Sequence, residues 1–304
     1  MLGLQVVTAD GTILNLGRRT TKGVTGYDLT SLIVGSEGTL GIITEATLKL
    51  LPRPPEVCTL LVFLSDHEAI SRAVQASLSR RVAPRCIELV DALALDILRP
   101  QAGLAIPEAA RAMLLVELDG EGAELERHME MCGEAMFDAG ATEVLVAKDG
   151  GERERLWAAR RELSHSLRRA AKNKLSEDVV VPRSQIATLL DRCRALAAEE
   201  EIQMPTYGHA GDGNLHVNVL WDDPDGRARV DRAIHALFED VVSLRGTLSG
   251  EHGIGTLKAP FLDIEQSPEL IELQRRIKGL FDPQNILNPG KIFTPGGTQR
   301  HGAC

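Results

Sequence analysis

Apolar residues in this chain recur at two spacings, every second residue and every third or fourth, and stretches of each kind alternate. Residues 4–9 and 12–16 are β-rich and flank Asp10-Gly11, a strong two-residue hairpin signal. An apolar stretch through Leu32, Ile33 and Val34 reads as a strand running into Gly35-x-x-Gly38-x-x-Gly41, and residues 42–50 are β-like again. The prolines of Leu51-Pro52-Arg53-Pro54-Pro55 stiffen the backbone and donate no hydrogen bonds, which makes this the best linker candidate. Beyond it the pattern predicts strands over 59–64, 85–90, 113–118, 143–147 and 178–181. Helices are predicted over 66–79, with Asp66 as N-cap, and over 92–98, 122–139, 152–171 and 183–201. Two further strands, 204–209 and 215–221, flank a Gly-rich turn, and helices follow over 224–244 and 268–280.

Strand–helix–strand units of this kind predict an α+β fold: a layered domain of ferredoxin-like character, with a largely antiparallel sheet covered by helices. The opening hairpin needs more sheet to pair with, since a lone hairpin is marginal in water. No internal repeat or low-complexity tract stands out. The length of 304 residues with 43% hydrophobic content allows two domains or one large one, each with a proper core. A net charge of −9 argues against a nucleic-acid partner. The apolar runs are too short for a membrane span, and the residues after Met1 lack the basic start of a signal peptide. Five cysteines (58, 86, 132, 193 and 304), scattered and with no Cys-x-x-Cys pair, read as reduced cytosolic thiols.

Five segments concentrate chemistry. The glycines of Gly35-Ser36-Glu37-Gly38-Thr39-Leu40-Gly41 leave bare backbone N–H groups that can approach a phosphate or a flat ring; a tight turn between strands is the alternative. No long helix follows, which disfavours a nicotinamide-type dinucleotide fold. In the segment from Tyr207 to Val219 the glycines exclude a helix, and the turn can set His209 beside His216. His216, Asn218 and Leu220 then share one strand face. Two converging imidazoles make a half-site for zinc or a transition metal, unless they are core histidines bonded to backbone. In Ser249-Gly250-Glu251-His252-Gly253-Ile254-Gly255 a carboxylate can complete a His₂Glu site, while His252, on the other face, can serve as general base. An exposed loop with an incidental ion pair is the alternative. Arg160 and Ser164, four apart on a helix, face the same way, so the guanidinium can grip a carboxylate; alone this would be a solvated basic face. The Asn and Pro residues over 281–292 make a compact corner.

Together, residues 26–44, 209–218, 249–255 and 285–292 resemble the FAD-linked 2-hydroxy-acid dehydrogenases, the family of D-lactate dehydrogenase, the glycolate oxidase FAD subunit and D-2-hydroxyglutarate dehydrogenase within the vanillyl-alcohol oxidase superfamily. The resemblance implies a remnant of a FAD-binding α+β domain over 1–53, a substrate (cap) domain over 54–280 and a segment over 281–304 that returns to the flavin. It implies that Gly35, Ser36, Glu37, Gly38, Thr39, Gly41, Ile42 and Asn288 line the FAD. His209, His216 and Glu251 would hold a divalent metal, Zn²⁺, and His252 would be the base. Arg160, Ser164, Lys174 and Asn218 would bind the carboxylate and hydroxyl of a small 2-hydroxy acid such as lactate, glycolate or 2-hydroxyglutarate. Electrons would pass to a protein or quinone acceptor, in the cytoplasm, peripheral to the inner face of the membrane. Members of the family carry a further N-terminal half with its own phosphate loop. The expectation is therefore that this chain is a fragment of a full enzyme, or else a subunit that pairs with a separately encoded N-terminal FAD-binding half. The alternative is a flavin-free metal- and carboxylate-binding or regulatory subunit with no activity of its own.

Overall fold

Asp10-Gly11 turns the chain as its sequence predicts, with Gly11 at φ +83° and Asp10 accepting the Thr12 N–H (3.0 Å). The computed structural model describes residues 1–79, 82, 84–100, 103–147 and 149–294. They divide into two units, one of Met1–Pro52 with the chain from Glu251 onward, the other of Arg53–Gly250. The first division falls in the proline-rich stretch. The second falls after Gly250, so residues 251–280, expected with the middle segment, group with the first unit.

The first unit opens with β1 (Gly3–Val7), β2 (Ile13–Gly17), α1 (Leu29–Ile33) and β3 (Ile42–Thr47). β1 lies in the middle of a three-stranded antiparallel sheet, with a bulge against β3 at Gln5/Val6. The strand expected through Leu32, Ile33 and Val34 is instead α1. Asp28 accepts the Ser31 N–H (3.1 Å) and its hydroxyl (2.7 Å), and this cap outweighs the β preference of Ile33 and Val34.

The second unit contains β4 (Glu56–Leu64), α2 (Glu68–Ser79), β5 (Cys86–Asp91), α3 (Ala92–Leu98), β6 (Ala112–Gly120), α4 (Gly122–Asp138) and β7 (Ala141–Val146). It continues through α5 (Gly150–Ala170), β8 (Asn173–Val180), α6 (Ile186–Glu199), β9 (Thr206–His209), β10 (Asn214–Trp221) and α7 (Arg227–Ser243). Asp66 accepts the Ala69 N–H (2.6 Å) at the head of α2, as its N-cap reading requires. All seven strands pair antiparallel, in the order β7-β4-β6-β5-β9-β10-β8. Within this order β4-α2-β5-β6-α4-β7 has the ferredoxin-like arrangement β7-β4-β6-β5. The run β8-α6-β9-β10-α7 repeats it as β8-β10-β9, and the isolated bridge of Val180 to Thr247 stands where the last strand would be. Two modules thus join edge to edge through β5 and β9. The sequence shows no repeat, so the doubling lives in topology alone.

Both faces of this sheet are covered. On one, Leu61, Phe63, Val90, Met113, Leu115, Tyr207 and Leu220 pack against Leu95 and Leu98 of α3 and Leu163 and Leu167 of α5. The alternate residues, among them Val62, Leu89, Leu114, Val116, Val217 and Val219, are equally buried on the other, which carries the interconnected layer of α2, α4, α6 and α7. The chain then runs through α8 (Leu262–Glu265) and α9 (Pro268–Phe281), and Ile277 and Phe281 pack against the first unit's buried Leu4, Val6, Ile33 and Leu40. Cys58, Cys86, Cys132 and Cys193 are free thiols, and burial pushes all four above the usual thiol range. Cys304 lies outside the described residues, as do residues 295–303 of the expected C-terminal segment. Among the described residues no helix is long and apolar enough to cross a membrane.

Candidate active site

The α5 face of the seven-stranded sheet is mainly apolar in its β4–β6 half, apart from the buried Thr59–Glu117 pair, and polar where β5, β9, β10 and β8 meet. Strand register explains the polar half. Glu88 of β5 lies opposite His209 of β9, Tyr207 opposite His216 of β10, and His216 opposite Asp178 of β8. The β9–β10 turn depends on Gly213, at φ +80°, where a Cβ would sit 2.0 Å from the Val181 carbonyl oxygen. This hairpin brings the two histidines together, with ring centroids 5.4 Å apart and planes at 83°.

Each imidazole has a carboxylate on its Nδ1 side. Glu88 Oε1 is 2.6 Å from His209 Nδ1, and Asp178 Oδ1 is 3.8 Å from His216 Nδ1. The other Glu88 oxygen takes Nε (2.9 Å) and Nη2 (2.7 Å) of Arg160. Burial pushes the Glu88 carboxyl up, but the His209 hydrogen bond and the Arg160 charge outweigh it and hold it below its ordinary range. Arg160 in turn lies over the Tyr207 ring at 4.5 Å, and Tyr207 packs beside His216 at 5.4 Å. Asp178 is fully buried. Its Oδ2 accepts the Gly250 N–H (3.0 Å) and the Ser249 hydroxyl (3.3 Å). Glu251 and His252 are the next two residues of the chain and open the segment that belongs to the other unit.

One turn along α5 from Arg160, Ser164 accepts Lys174 Nζ through its hydroxyl (3.3 Å) and its carbonyl (3.5 Å). Burial, with Arg168 nearby, pulls the Lys174 ammonium below its usual range. Asn218 is fully buried, and its Nδ2 donates to the carbonyls of His216 (2.9 Å) and Pro205 (3.2 Å). Its Oδ1, like that of Asn214, has no hydrogen-bond partner among the described residues. A buried orphan of this kind costs about 1–3 kcal/mol, so two on one face of β10, either side of His216, call for a polar ligand.

In the first unit the glycine loop sorts into distinct roles. Gly35, at φ +86°, has nothing within 4 Å of where a Cβ would be, and Gly38, at φ +73°, meets only the Asn288 side chain at 3.8 Å. Ile42 is exposed beside them. Ser36 and Thr39 are turned inward, with the Thr39 hydroxyl on the Ser36 carbonyl (2.7 Å), and Gly41 packs so closely that a Cβ would lie 2.4 Å from Val6. The Glu37 carboxylate accepts the N–H groups of Ile254 (2.6 Å) and Gly255 (2.8 Å). Asn288 Nδ2 donates to the Glu37 carbonyl. Lys278 Nζ donates to the carbonyls of Thr39 and Leu287 (both 2.9 Å) and pairs with buried Asp282, which also accepts the N–H groups of Ile286 (3.0 Å) and Leu287 (2.7 Å). The corner expected over 281–292 is built on this carboxylate.

The family model described as FAD linked oxidases, C-terminal domain, matches residues 53–292, and the chain belongs to that family. It is 39% identical over 302 residues to the glycolate oxidase subunit GlcD of Bacillus subtilis, a match covering 99% of this chain and 64% of that one. It is 36% identical over 300 residues to the D-lactate dehydrogenase of Archaeoglobus fulgidus, covering 96% of this chain and 64% of that one. The chain therefore spans somewhat less than two thirds of the length of these relatives. Its fold is that of p-cresol methylhydroxylase with substrate bound, at a TM-score of 0.76 and 15% identity over 98% of this chain and 66% of the other. The resemblance read from the motifs and the α+β fold both hold.

The donor chemistry fits the groups the family implies. Open backbone at Gly35 and Gly38 with exposed Ile42 offers a flavin ring room for close approach. Two adjacent imidazoles backed by carboxylates suit a divalent metal such as zinc. Of the expected residues, Arg160, Ser164, Lys174, His209, His216 and Asn218 share one sheet face. Glu37, expected to line the FAD, turns both carboxylate oxygens to main-chain amides. The sequence pattern assigns no role to Glu88, Asp178 or Tyr207. For the two acids the signal is a carboxylate set inside an apolar run, in Cys-Ile-Glu-Leu-Val and in Glu-Asp-Val-Val-Val.

Proposed function

We propose that this chain takes part in the flavin-dependent oxidation of a small D-2-hydroxy acid, of the lactate, glycolate or 2-hydroxyglutarate type, to the 2-oxo acid. The observation that carries the reading is the polar half of the α5 face, along which one guanidinium, one ammonium, two imidazoles and two unpartnered amide oxygens are ranged. Arg160 and Lys174 supply cationic donors for a carboxylate, and Ser164 and Asn218 supply hydrogen bonds that fix its pose. His209 and His216, joined by Glu251, would hold a divalent metal, Zn²⁺. His252, next in the chain, takes the hydroxyl proton. FAD bound at Gly35, Gly38, Ile42 and Asn288 would supply the hydride acceptor.

The relatives extend well beyond this chain, and the first unit exposes Val34, Ile42, Ile43, Leu48 and Leu50. These two facts support a separately encoded or covalently joined FAD-binding half as partner, with the chain acting as a fragment or subunit. The acceptor is a protein or quinone, and the setting is the cytoplasm, peripheral to the inner face of the membrane. The test is a dye-coupled assay with D-lactate, glycolate and D-2-hydroxyglutarate on the purified chain, alone and together with the N-terminal portion of a relative, with metal and flavin counted. Turnover of one acid, with one metal and one flavin per complex, supports the reading. A complex that binds flavin and oxidises none of the acids refutes it.

A further inference from the structure

We propose that Glu37 is a positioning residue that holds the backbone following His252 in register with the glycine loop and with Asn288. The proposal deepens the reading above, since it takes His252 as the base of that reaction. Three segments far apart in sequence meet at this one residue. Its two carboxylate oxygens divide between two consecutive main-chain amides, Oε1 on Ile254 N–H (2.6 Å) and Oε2 on Gly255 N–H (2.8 Å). Its carbonyl takes the Asn288 amide. The Gly255 carbonyl in turn accepts the Ile292 N–H (2.9 Å), so the contact continues past the 285–288 corner.

Backbone geometry shows that these contacts define the conformation. Glu37 stands at φ +52°, in the left-handed region that a residue with a Cβ avoids, between Gly35 at +86° and Gly38 at +73°. Such a conformation persists only where its surroundings over-determine it. Gly253 stands at φ +78°, and a Cβ there would lie 2.7 Å from Glu37 Oε1. The glycine after His252 is therefore shaped to admit this carboxylate. An ionised acceptor shared by two amides also makes stronger hydrogen bonds than a neutral one, so shape and charge both matter. Removing the carboxylate frees the chain at Ile254 and Gly255, and the residue whose direction then changes is His252.

Amide exchange and histidine resonances of the purified chain test this by NMR. In Glu37→Gln, which keeps the size but loses the charge and one acceptor, Ile254 and Gly255 should exchange at least about tenfold faster. The His252 imidazole signal should move, while those of His128 and His165 stay in place. Glu37→Asp, which keeps the charge but draws the carboxylate back by one methylene, should give the same pair of changes. Unchanged exchange in these variants, or faster exchange with an unmoved His252 signal, overturns the proposal. If Glu37→Gln does not fold, Glu37→Asp decides by the same two criteria. Where the wild type turns over a 2-hydroxy acid, Glu37→Gln should lower kcat with KM little changed. A wild type that binds flavin without turnover counts against the oxidation, while the exchange rates and the His252 signal still decide the role of Glu37.

Discussion

Asp91 yields a prediction whose sign runs against intuition. It closes β5 and caps α3, its Oδ1 accepting the Ala94 N–H at 2.8 Å, and it is 5% exposed. Burial pushes its carboxyl up to about 7, against the opposing pull of the Ala94 and Thr206 amides. In the unfolded chain the group returns to an ordinary 3.8. Below that pH both states are protonated, and the group costs nothing. Between 4 and 7 the unfolded chain has already released its proton while the folded one has not, so each unit rise favours unfolding by about 1.4 kcal/mol. The loss reaches about 4 kcal/mol above pH 7 and then stays level. Asparagine caps a helix as well as aspartate and cannot ionise. Asp91→Asn should therefore match the wild type within about 1 kcal/mol at pH 4.5 and exceed it by about 3–4 kcal/mol at pH 7.5. Urea unfolding followed by tryptophan fluorescence is the assay, since Trp157 and Trp221 both lie in the second unit. A difference that does not change with pH, or a wild type that is the more stable at pH 7.5, would falsify the reasoning.

Other expectations follow from the same geometry. Gly213→Ala forces a methyl onto the Val181 carbonyl oxygen and should cost more than about 3 kcal/mol in the same urea assay; a cost below about 1 would show that the turn is not rigid. Glu117 is buried and accepts Thr59 (2.9 Å), Arg153 (2.6 Å) and Trp157 (2.6 Å). Glu117→Gln should therefore lose about 2–3 kcal/mol and shift the Trp157 emission to the red. His216→Ala should remove metal uptake measured by calorimetry with Co²⁺, and uptake at wild-type affinity would exclude His216 as a ligand. Arg160→Lys gives up the Nε–Nη2 grip on Glu88, and KM for the acid should rise about ten- to hundredfold. An unchanged KM would remove Arg160 from the substrate.

Period-2 and helical patterns in the sequence carried most strands and helices of the second unit, because strands such as β4 and β6 are buried on both faces and form dense apolar runs. They failed at α1, where a three-residue cap between Asp28 and Ser31 decides the local structure against side-chain propensity. The pairing of His209 with His216 was legible because a short Gly-rich turn leaves the returning strand few registers. Glu88 was not legible. Its meaning depends on β5 lying beside β9, a contact between residues 121 apart that no local pattern encodes. The same holds for Asp178, fixed by pairing with His216, and for Glu37, whose partners lie 217 and 218 residues away. Long-range contacts of this sort appear in sequence only as an isolated polar residue where an apolar one is expected.

The doubled topology of the second unit has a consequence for the order in which the molecule comes together. Strand pairings within each module join residues nearer in sequence, Leu60 with Val146 being the widest, whereas β5 meets β9 only after the chain has closed a loop of more than a hundred residues. Glu88 stands on one side of that seam and His209 on the other. His209, His216 and Asp178 all lie in the second module, so what the seam adds is the Glu88 carboxylate on His209 Nδ1. A ligand that depends on that carboxylate binds the joined sheet more tightly than the second module alone, and by mass action holds the two modules together. Occupancy by such a ligand is in this sense a fastener for the seam between β5 and β9.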